Sequence, residues 1–145
     1  MSDNYDKLKL DNQLCFPLYA CSREIIKKYR PFLDEIDLTY TQYIAMMVFW
    51  EEKKLSVKAL GKRLFLDSGT LTPVLKSLEA KGFVKRYRSS EDERVLLVEI
   101  TPQGEALRAK AEPIPDKIGG CIRLTKEEAA FLYATLYKIL KSDEE

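Results

Sequence analysis

Apolar residues along the chain fall into helical spacing over most of its length and into a strand-like pair of runs only once. Leu14, Leu18, Cys21, Ile25 and Tyr29 step by four, three, four and four, which stacks them on one face of a helix. Asp11 or Asn12 is placed to cap that helix, and Pro17, which lacks a backbone donor, is expected to bend it just beyond Cys15. After Arg30 and Pro31, Thr39 or Thr41 opens a second helix, whose stretch 43–50 is hydrophobic enough for the buried central helix. Ser56 caps a short helix over 57–64, with Leu60 and Leu64 one turn apart. The break at 65–69 holds two good caps, Asp67 and Ser68. In the next helix, Leu71, Val74 or Leu75, and Leu78 face inward, and Gly82 takes the left-handed position beyond its end. Residues 83–88, a polar tip at 89–93 and residues 94–100 read as strand, turn and strand. Thr101-Pro102 restarts a helix that Pro113 and Pro115 break. The last helix has a capping box, Thr125 with Glu128, and an apolar face of Ala129, Leu132, Tyr133, Leu136 and Leu140.

The fold class is therefore mainly α with a small β-wing. Two short helices joined by a tight turn and followed by a β-ribbon are the winged helix-turn-helix layout, whose second helix can enter a DNA major groove. The chain divides into one DNA-binding module, 53–100, framed by terminal segments 10–52 and 101–145 within a single domain, 1–145. A lone module of this size touches too little DNA for tight specificity, so the terminal helices are expected to build a dimer.

Composition narrows the chemistry. With 145 residues, 46% apolar and 32% charged, the chain is one domain with a real core. It has no apolar run long enough for a membrane span, and its first residues carry no secretory signal; a cytoplasmic protein is expected. It contains no histidine, which removes Ser-His-Asp and Cys-His catalysis and leaves a metal site only cysteines and carboxylates. No cofactor or metal is expected. Three cysteines, Cys15, Cys21 and Cys121, form no CxxC pair and are expected as reduced thiols. A thiol enzyme such as a peroxidase would need a base or a recycling CxxC, so a non-enzyme is expected.

Charge gives an independent check on the DNA-binding module. The overall balance is 24 Lys+Arg against 23 Asp+Glu, but residues 53–94 hold eleven bases and five acids, net +6; the remaining 13 bases and 18 acids give net −5. A basic module inside an acidic frame is what phosphate binding needs. Ser68, Thr70 and Thr72 at the start of the second helix can bond base edges or phosphates, and Leu71 or Pro73 can touch a thymine methyl, with Lys76 one turn on. Arg86, Arg88 and Arg94 flank the ribbon tip, where an arginine can enter the minor groove; Asp92 can instead hold Arg94 by an ion pair.

The stretch Leu66-Asp67-Ser68-Gly69-Thr70-Leu71-Thr72-Pro73-Val74-Leu75-Lys76, with Asp92-Glu93-Arg94 at the tip, resembles the MarR family of winged-helix regulators. Together with Asn12-Gln13-Leu14-Cys15-Phe16, the string is similar to the organic-hydroperoxide-resistance, OhrR-like branch. The resemblance covers nearly the whole chain. It implies an intertwined homodimer, two winged modules on a pseudopalindromic double-stranded operator, and repression relieved by oxidation, with Asp67 among the DNA-binding residues. It also implies that Cys15 is the peroxide-reactive thiol and that Tyr29 and Tyr40, donated by the other subunit, hydrogen-bond its sulfur. A phenol donating to the sulfur favours the thiolate, the form that attacks a hydroperoxide. Phe16, Pro17 and Tyr19 would line an apolar pocket suited to organic peroxides.

The fate of a sulfenic acid at Cys15 depends on a second thiol. Cys21 stands six residues on, about 9 Å of helical rise, beyond the ~7 Å reach of a disulfide. Some members of the branch use a C-terminal cysteine of the opposite subunit, which makes Cys121, in a glycine-containing turn at 118–121, the candidate resolving residue; capping by a small thiol is the other route. A different reading keeps the DNA binding but replaces the oxidant by a small lipophilic or phenolic ligand. The aromatic set Phe16, Tyr19, Tyr29, Tyr40, Tyr43 and Trp50 would hold it, and the cysteine would not be essential.

Overall fold

The computed structural model describes residues 4–142. These form α1 (Cys15–Asp34), α2 (Tyr40–Glu52), β1 (Lys54–Ser56), α3 (Val57–Leu64), α4 (Ser68–Ala80), β2 (Val84–Arg88), β3 (Leu96–Ile100), α5 (Pro102–Ala111), α6 (Ile114–Gly119) and α7 (Lys126–Lys141).

Helix α1 begins later than the cap residues suggested. Asp11 and Asn12 lie in a 3-10 turn, Leu10–Asn12, which follows another at Asp6–Leu8. Asn12 Nδ2 donates to the Asp6 carbonyl at 2.8 Å, and Gln13 Nε2 donates to the carbonyls of Lys7 and Lys9, both at 2.7 Å. These side chains fold the preceding chain back on itself instead of capping the helix. Leu14 holds the cap position with no side-chain hydrogen bond. Pro17 falls in the first turn, where its missing N–H would have had no helical partner, so the bend expected beyond Cys15 has no cause. The helix passes through Pro31 to Asp34.

Helix α2 is capped by Thr39, not Thr41. The Thr39 hydroxyl accepts from the Gln42 N–H, and the Thr39 N–H donates to Gln42 Oε1. Its hydrophobic residues point all round, and Ala45, Met46 and Phe49 are fully buried, so the helix is the axis on which the other elements pack. Trp50 Nε1 donates to the Gly104 carbonyl at 2.9 Å and ties α2 to α5.

The wing has three strands, not two, in the order β1-β3-β2, all antiparallel. Strand β1 is three residues long and follows a charged run, so it carried no alternation to read. Lys53, at φ +65, turns the chain from α2 into β1, and its carbonyl accepts from the Ile100 N–H at 2.9 Å. Strands β2 and β3 start one and two residues later than expected. Gly82 takes φ +82, the left-handed conformation expected of it. Gly104 permits a close approach: a Cβ there would lie 2.2 Å from the Phe83 carbonyl oxygen.

Pro113 and Pro115 do end α5, but Pro115 then sits in the first turn of α6. Ile118 is buried and Gly119 is helical, so Cys121 follows a helix end rather than the free glycine turn expected. No residue of α7 is buried. Among the described residues no helix is long and apolar enough to cross a membrane.

Candidate DNA interface and thiol sensor

Helices α3 and α4 meet at a corner that the sequence builds residue by residue. Ser56 Oγ accepts from the Ala59 N–H at 3.0 Å and starts α3. Phe65 closes it in the left-handed region at φ +56. A Cβ on Gly61 would stand 2.6 Å from the Leu66 carbonyl oxygen, so only glycine allows the turn to close this tightly. Asp67, not Ser68, caps α4; its carboxylate accepts from the Thr70 N–H at 2.7 Å. That N–H, and then the Thr70 hydroxyl, hold the Asp67 carboxyl below the usual carboxylate range.

The two faces of α4 are chemically distinct. Leu71, Leu75 and Leu78 are buried beneath it, while Ser68, Thr70, Thr72, Pro73 and Lys76 are exposed. Leu71 is therefore corrected from a candidate thymine contact to a core residue: at 0% exposure it has no surface with which to touch a base. Thr72 Oγ1 donates to the Ser68 carbonyl at 2.7 Å, which leaves its lone pairs free to accept.

The arginines of the wing divide too. Arg86 is drawn onto α4 by Glu79, which accepts from its guanidinium and from its backbone N–H, both at 3.1 Å. Its side chain is only 19% exposed, so its expected place at the ribbon tip is corrected: it braces the wing against α4. Arg88 is exposed and reaches the Arg94 carbonyl at 3.5 Å. Arg94, with a side chain 91% exposed, projects from the tip. Asp92 accepts from Arg94 Nε, Nη2 and the backbone N–H at 3.0–3.1 Å, the ion pair expected from the spacing. Between α3, the start of α4 and β3 runs an open groove of about 980 Å³, its walls carrying Lys58, Lys62, Ser68, Thr72 and Arg94. Cations and hydroxyls lining one groove are suited to a polyanionic backbone.

The thiol lies elsewhere. Cys15 is the first residue of α1 and is exposed, as are Cys21 and Cys121. Phe16 and Tyr19 beside it are 42% and 59% exposed, so no pocket closes over the sulfur within one chain. Tyr29 and Tyr40 pack together with ring centroids 4.9 Å apart. Tyr43, which the sequence marks only as one of six aromatics, completes the cluster at 5.8 and 6.3 Å. Burial pushes the phenols of Tyr29 and Tyr40 up, and burial together with its two neighbours pushes Tyr43 up to about 12. All three stay protonated near neutrality and are hydrogen-bond donors. Cys15 and Tyr29 are fourteen residues apart on one helix, roughly 21 Å of rise. A Cys15 sulfur that meets the tyrosine pair has to come from another chain.

A winged helix-turn-helix carried between terminal helices, the last of which buries nothing of its own, defines a regulator of the MarR type. The family of SarA/Rot transcriptional regulators matches residues 23–111. The organic hydroperoxide resistance transcriptional regulator of Bacillus subtilis strain 168 is 46% identical over 142 residues, 98% of this chain and 97% of that protein. Among solved structures, reduced AbfR bound to DNA is 34% identical with a TM-score of 0.77, covering 99% of this chain and 100% of that one. Disulfide-formed AbfR, at 36% identity and with 94% and 92% covered, has a TM-score of 0.62; AbfR is a protein of Staphylococcus epidermidis. The chain belongs to the SarA/Rot family of transcriptional regulators, in the organic-hydroperoxide-resistance branch of the MarR-type winged-helix proteins, and is a regulator rather than an enzyme.

Proposed function

We propose that the protein is a homodimeric, sequence-specific DNA-binding repressor that senses organic hydroperoxides through Cys15 and releases its operator on oxidation. The observation that carries this reading is the exposed thiol at the first position of α1, roughly 21 Å along the helix from a tyrosine pair that it cannot reach within its own chain. Unpartnered apolar surface supports the second subunit. Leu14 is 77% and Phe131 76% exposed, on terminal elements that pack against little else in the protomer. Residues 10–52 and 101–145 are the dimerisation and sensor region in this reading, and 53–100 the DNA-binding module, in a cytoplasmic protein. The greater likeness to reduced, DNA-bound AbfR than to its disulfide form supports reading this conformation as the one competent for DNA.

Ser68, Thr70, Thr72, Pro73 and Lys76 face the major groove, with Asp67 fixing the start of their helix. Arg88 and Arg94, the latter oriented by Asp92, face the minor groove. The Cys15 thiolate attacks the peroxide, breaking the O–O bond: thiol and hydroperoxide become sulfenic acid and alcohol. The sulfenic acid then condenses with a thiol, losing water, either with Cys121 of the partner subunit or with a small cellular thiol.

A mobility-shift titration on DNA upstream of the protein's own gene tests binding and sensing together. Organic hydroperoxide releases wild type but not Cys15→Ser, and the Cys121→Ser lane reports whether a disulfide completes the switch. Release of Cys15→Ser by the same oxidant would overturn the sensor assignment. Release by a phenolic ligand with Cys15 absent would put the ligand-responsive reading in its place.

A further inference from the structure

Gln42, at 6% exposure, is the one buried polar or charged residue among the described residues. Its amide is engaged at both ends. Its Oε1 accepts from the Thr39 N–H at 3.0 Å and from Lys81 Nζ at 3.2 Å, and its Nε2 donates to Ser77 Oγ at 2.8 Å. Ser77 lies in the C-terminal half of α4, and Lys81 follows its last residue. Lys81 Nζ also donates to the carbonyl of Asp37, which holds φ +55 in the turn between α1 and α2. This polar knot therefore ties the recognition helix to the α1–α2 elbow. The elbow is also where the tyrosines sit: Tyr40 is the residue next to the Thr39 cap, and its ring against Tyr29 holds α2 to α1.

We propose that Gln42 is the positioning residue that transmits a change at the tyrosine pair to the recognition helix, through Ser77 and Lys81. The proposal rests on the oxidant-sensing reading above and adds the route by which the sensor reaches the DNA. Apolar contacts between α2 and α4 are non-directional and tolerate sliding. The knot does not: its three side-chain bonds are directional and part-buried, so a movement of Thr39 or Asp37 either carries Ser77 and Lys81 with it or breaks bonds to a buried amide. Loss of the knot should leave α4 in place on the winged module's own core, since Leu71, Leu75 and Leu78 remain buried, while disconnecting it from the elbow.

The test compares operator affinity of the reduced and the hydroperoxide-treated full-length protein, in wild type, Cys15→Ser, Ser77→Ala, Gln42→Leu and Gln42→Glu, with thermal unfolding of each. The expected result is that Ser77→Ala and Gln42→Leu bind reduced within threefold of wild type, while their reduced-to-oxidised affinity ratio falls at least fivefold toward one. Gln42→Glu restores the ratio, because a carboxylate can accept from the Thr39 N–H, the Lys81 ammonium and the Ser77 hydroxyl together. A merely structural amide would lower the melting temperature and the reduced affinity and leave the ratio as in wild type; that result overturns the proposal. A wild type that oxidant does not release overturns the sensor reading and this route with it. A responsive wild type with an equally responsive Ser77→Ala and Gln42→Leu overturns the route alone.

Discussion

Leu71→Ala distinguishes a core residue from a base reader at the same position. Leu71 is 0% exposed, and its Cδ1 lies 3.4 Å from the place a Cβ on Gly61 would occupy, so it fills the angle between α3 and α4. Truncation removes three carbons, about 2.4 kcal/mol at roughly 0.8 kcal/mol per buried methylene. The void it leaves adds a cavity term and brings the expected loss to about 2–5 kcal/mol. For a chain of 145 residues each kcal/mol moves the melting temperature by roughly 3–5 °C, so a fall of about 6–25 °C is expected at fixed protein concentration. Thermal and urea unfolding followed by circular dichroism measure it, with operator affinity determined on the same samples at low temperature. Leu71→Met, close in volume, should stay within about 1.5 kcal/mol of wild type and bind the operator as wild type does. The reasoning is refuted if Leu71→Ala keeps the wild-type urea midpoint and loses affinity for the operator while keeping its affinity for unrelated DNA.

Arg94→Ala should weaken binding to operator and unrelated DNA alike and reduce the salt slope by about one; a full-strength variant would take the wing tip off the DNA. Tyr29→Phe and Tyr40→Phe should each slow the reaction of Cys15 with an organic hydroperoxide by about tenfold to a hundredfold, since a hydrogen bond to a charged group contributes about 1.5–3 kcal/mol; stopped-flow rates equal to wild type would exclude them as donors. The Asp67, Glu79, Asp92 and Glu99 carboxyls are all held below their usual range, by Thr70, Arg86, Arg94 and Tyr87 respectively. Their folded-state values lie below the unfolded ones, so their contribution is complete above about pH 4.5 and is lost as pH falls through the lowered values. Glu79→Gln should accordingly lower stability at neutral pH slightly and flatten the acid limb of a stability-versus-pH curve, with the two proteins converging at low pH; an acid limb as steep as in wild type would contradict the assignment. Gly61→Ala forces a Cβ against the Leu66 carbonyl and should cost about 1–3 kcal/mol; an unperturbed melting curve would mean that the corner between α3 and α4 can open.

Where the sequence was legible, one local signal sufficed. The caps at Ser56, Thr101 and Thr125, the left-handed Gly82 and the inward face of α4 each follow from neighbours within four residues. Where it was not, the deciding partner was distant. Arg86 and Arg94 stand on the same ribbon and carry the same charge, yet Glu79, on another element, turns the first into a brace, while Asp92, two residues away, leaves the second exposed. Strand β1 exists because β3 offers it a ladder, with Leu55 opposite Val98, and nothing in three residues foretells that. Asn12 and Gln13 look like candidate caps or motif letters but bind carbonyls behind them. Gln42 is the instructive intermediate. Thr39 and Gln42 have the spacing of a capping box, which the equal candidacy of Thr41 left undecided in the sequence, and the second use of the same amide, on Ser77 thirty-five residues away, is visible only in three dimensions.

The sensor divides along the same line. Cys15, Tyr29 and Tyr40 are individually readable from a resemblance, and each carries the chemistry its proposed role requires. The structure adds a geometric constraint: a continuous α1 holds Cys15 and Tyr29 roughly 21 Å apart, so in the proposed sensor one chain holds both halves and cannot join them. With two chains, each thiol would report on the other chain's elbow, and that elbow is bonded through Gln42 to its own recognition helix. Oxidation of one sulfur would then act first on the partner's DNA-binding module. A heterodimer with Cys15→Ser in one subunit should therefore perturb a single half-site, the one held by the subunit that lacks the thiol. Footprinting of each half-site on an asymmetric operator reads this out, and loss of protection at the thiol-bearing subunit's own half-site would contradict the crossed arrangement.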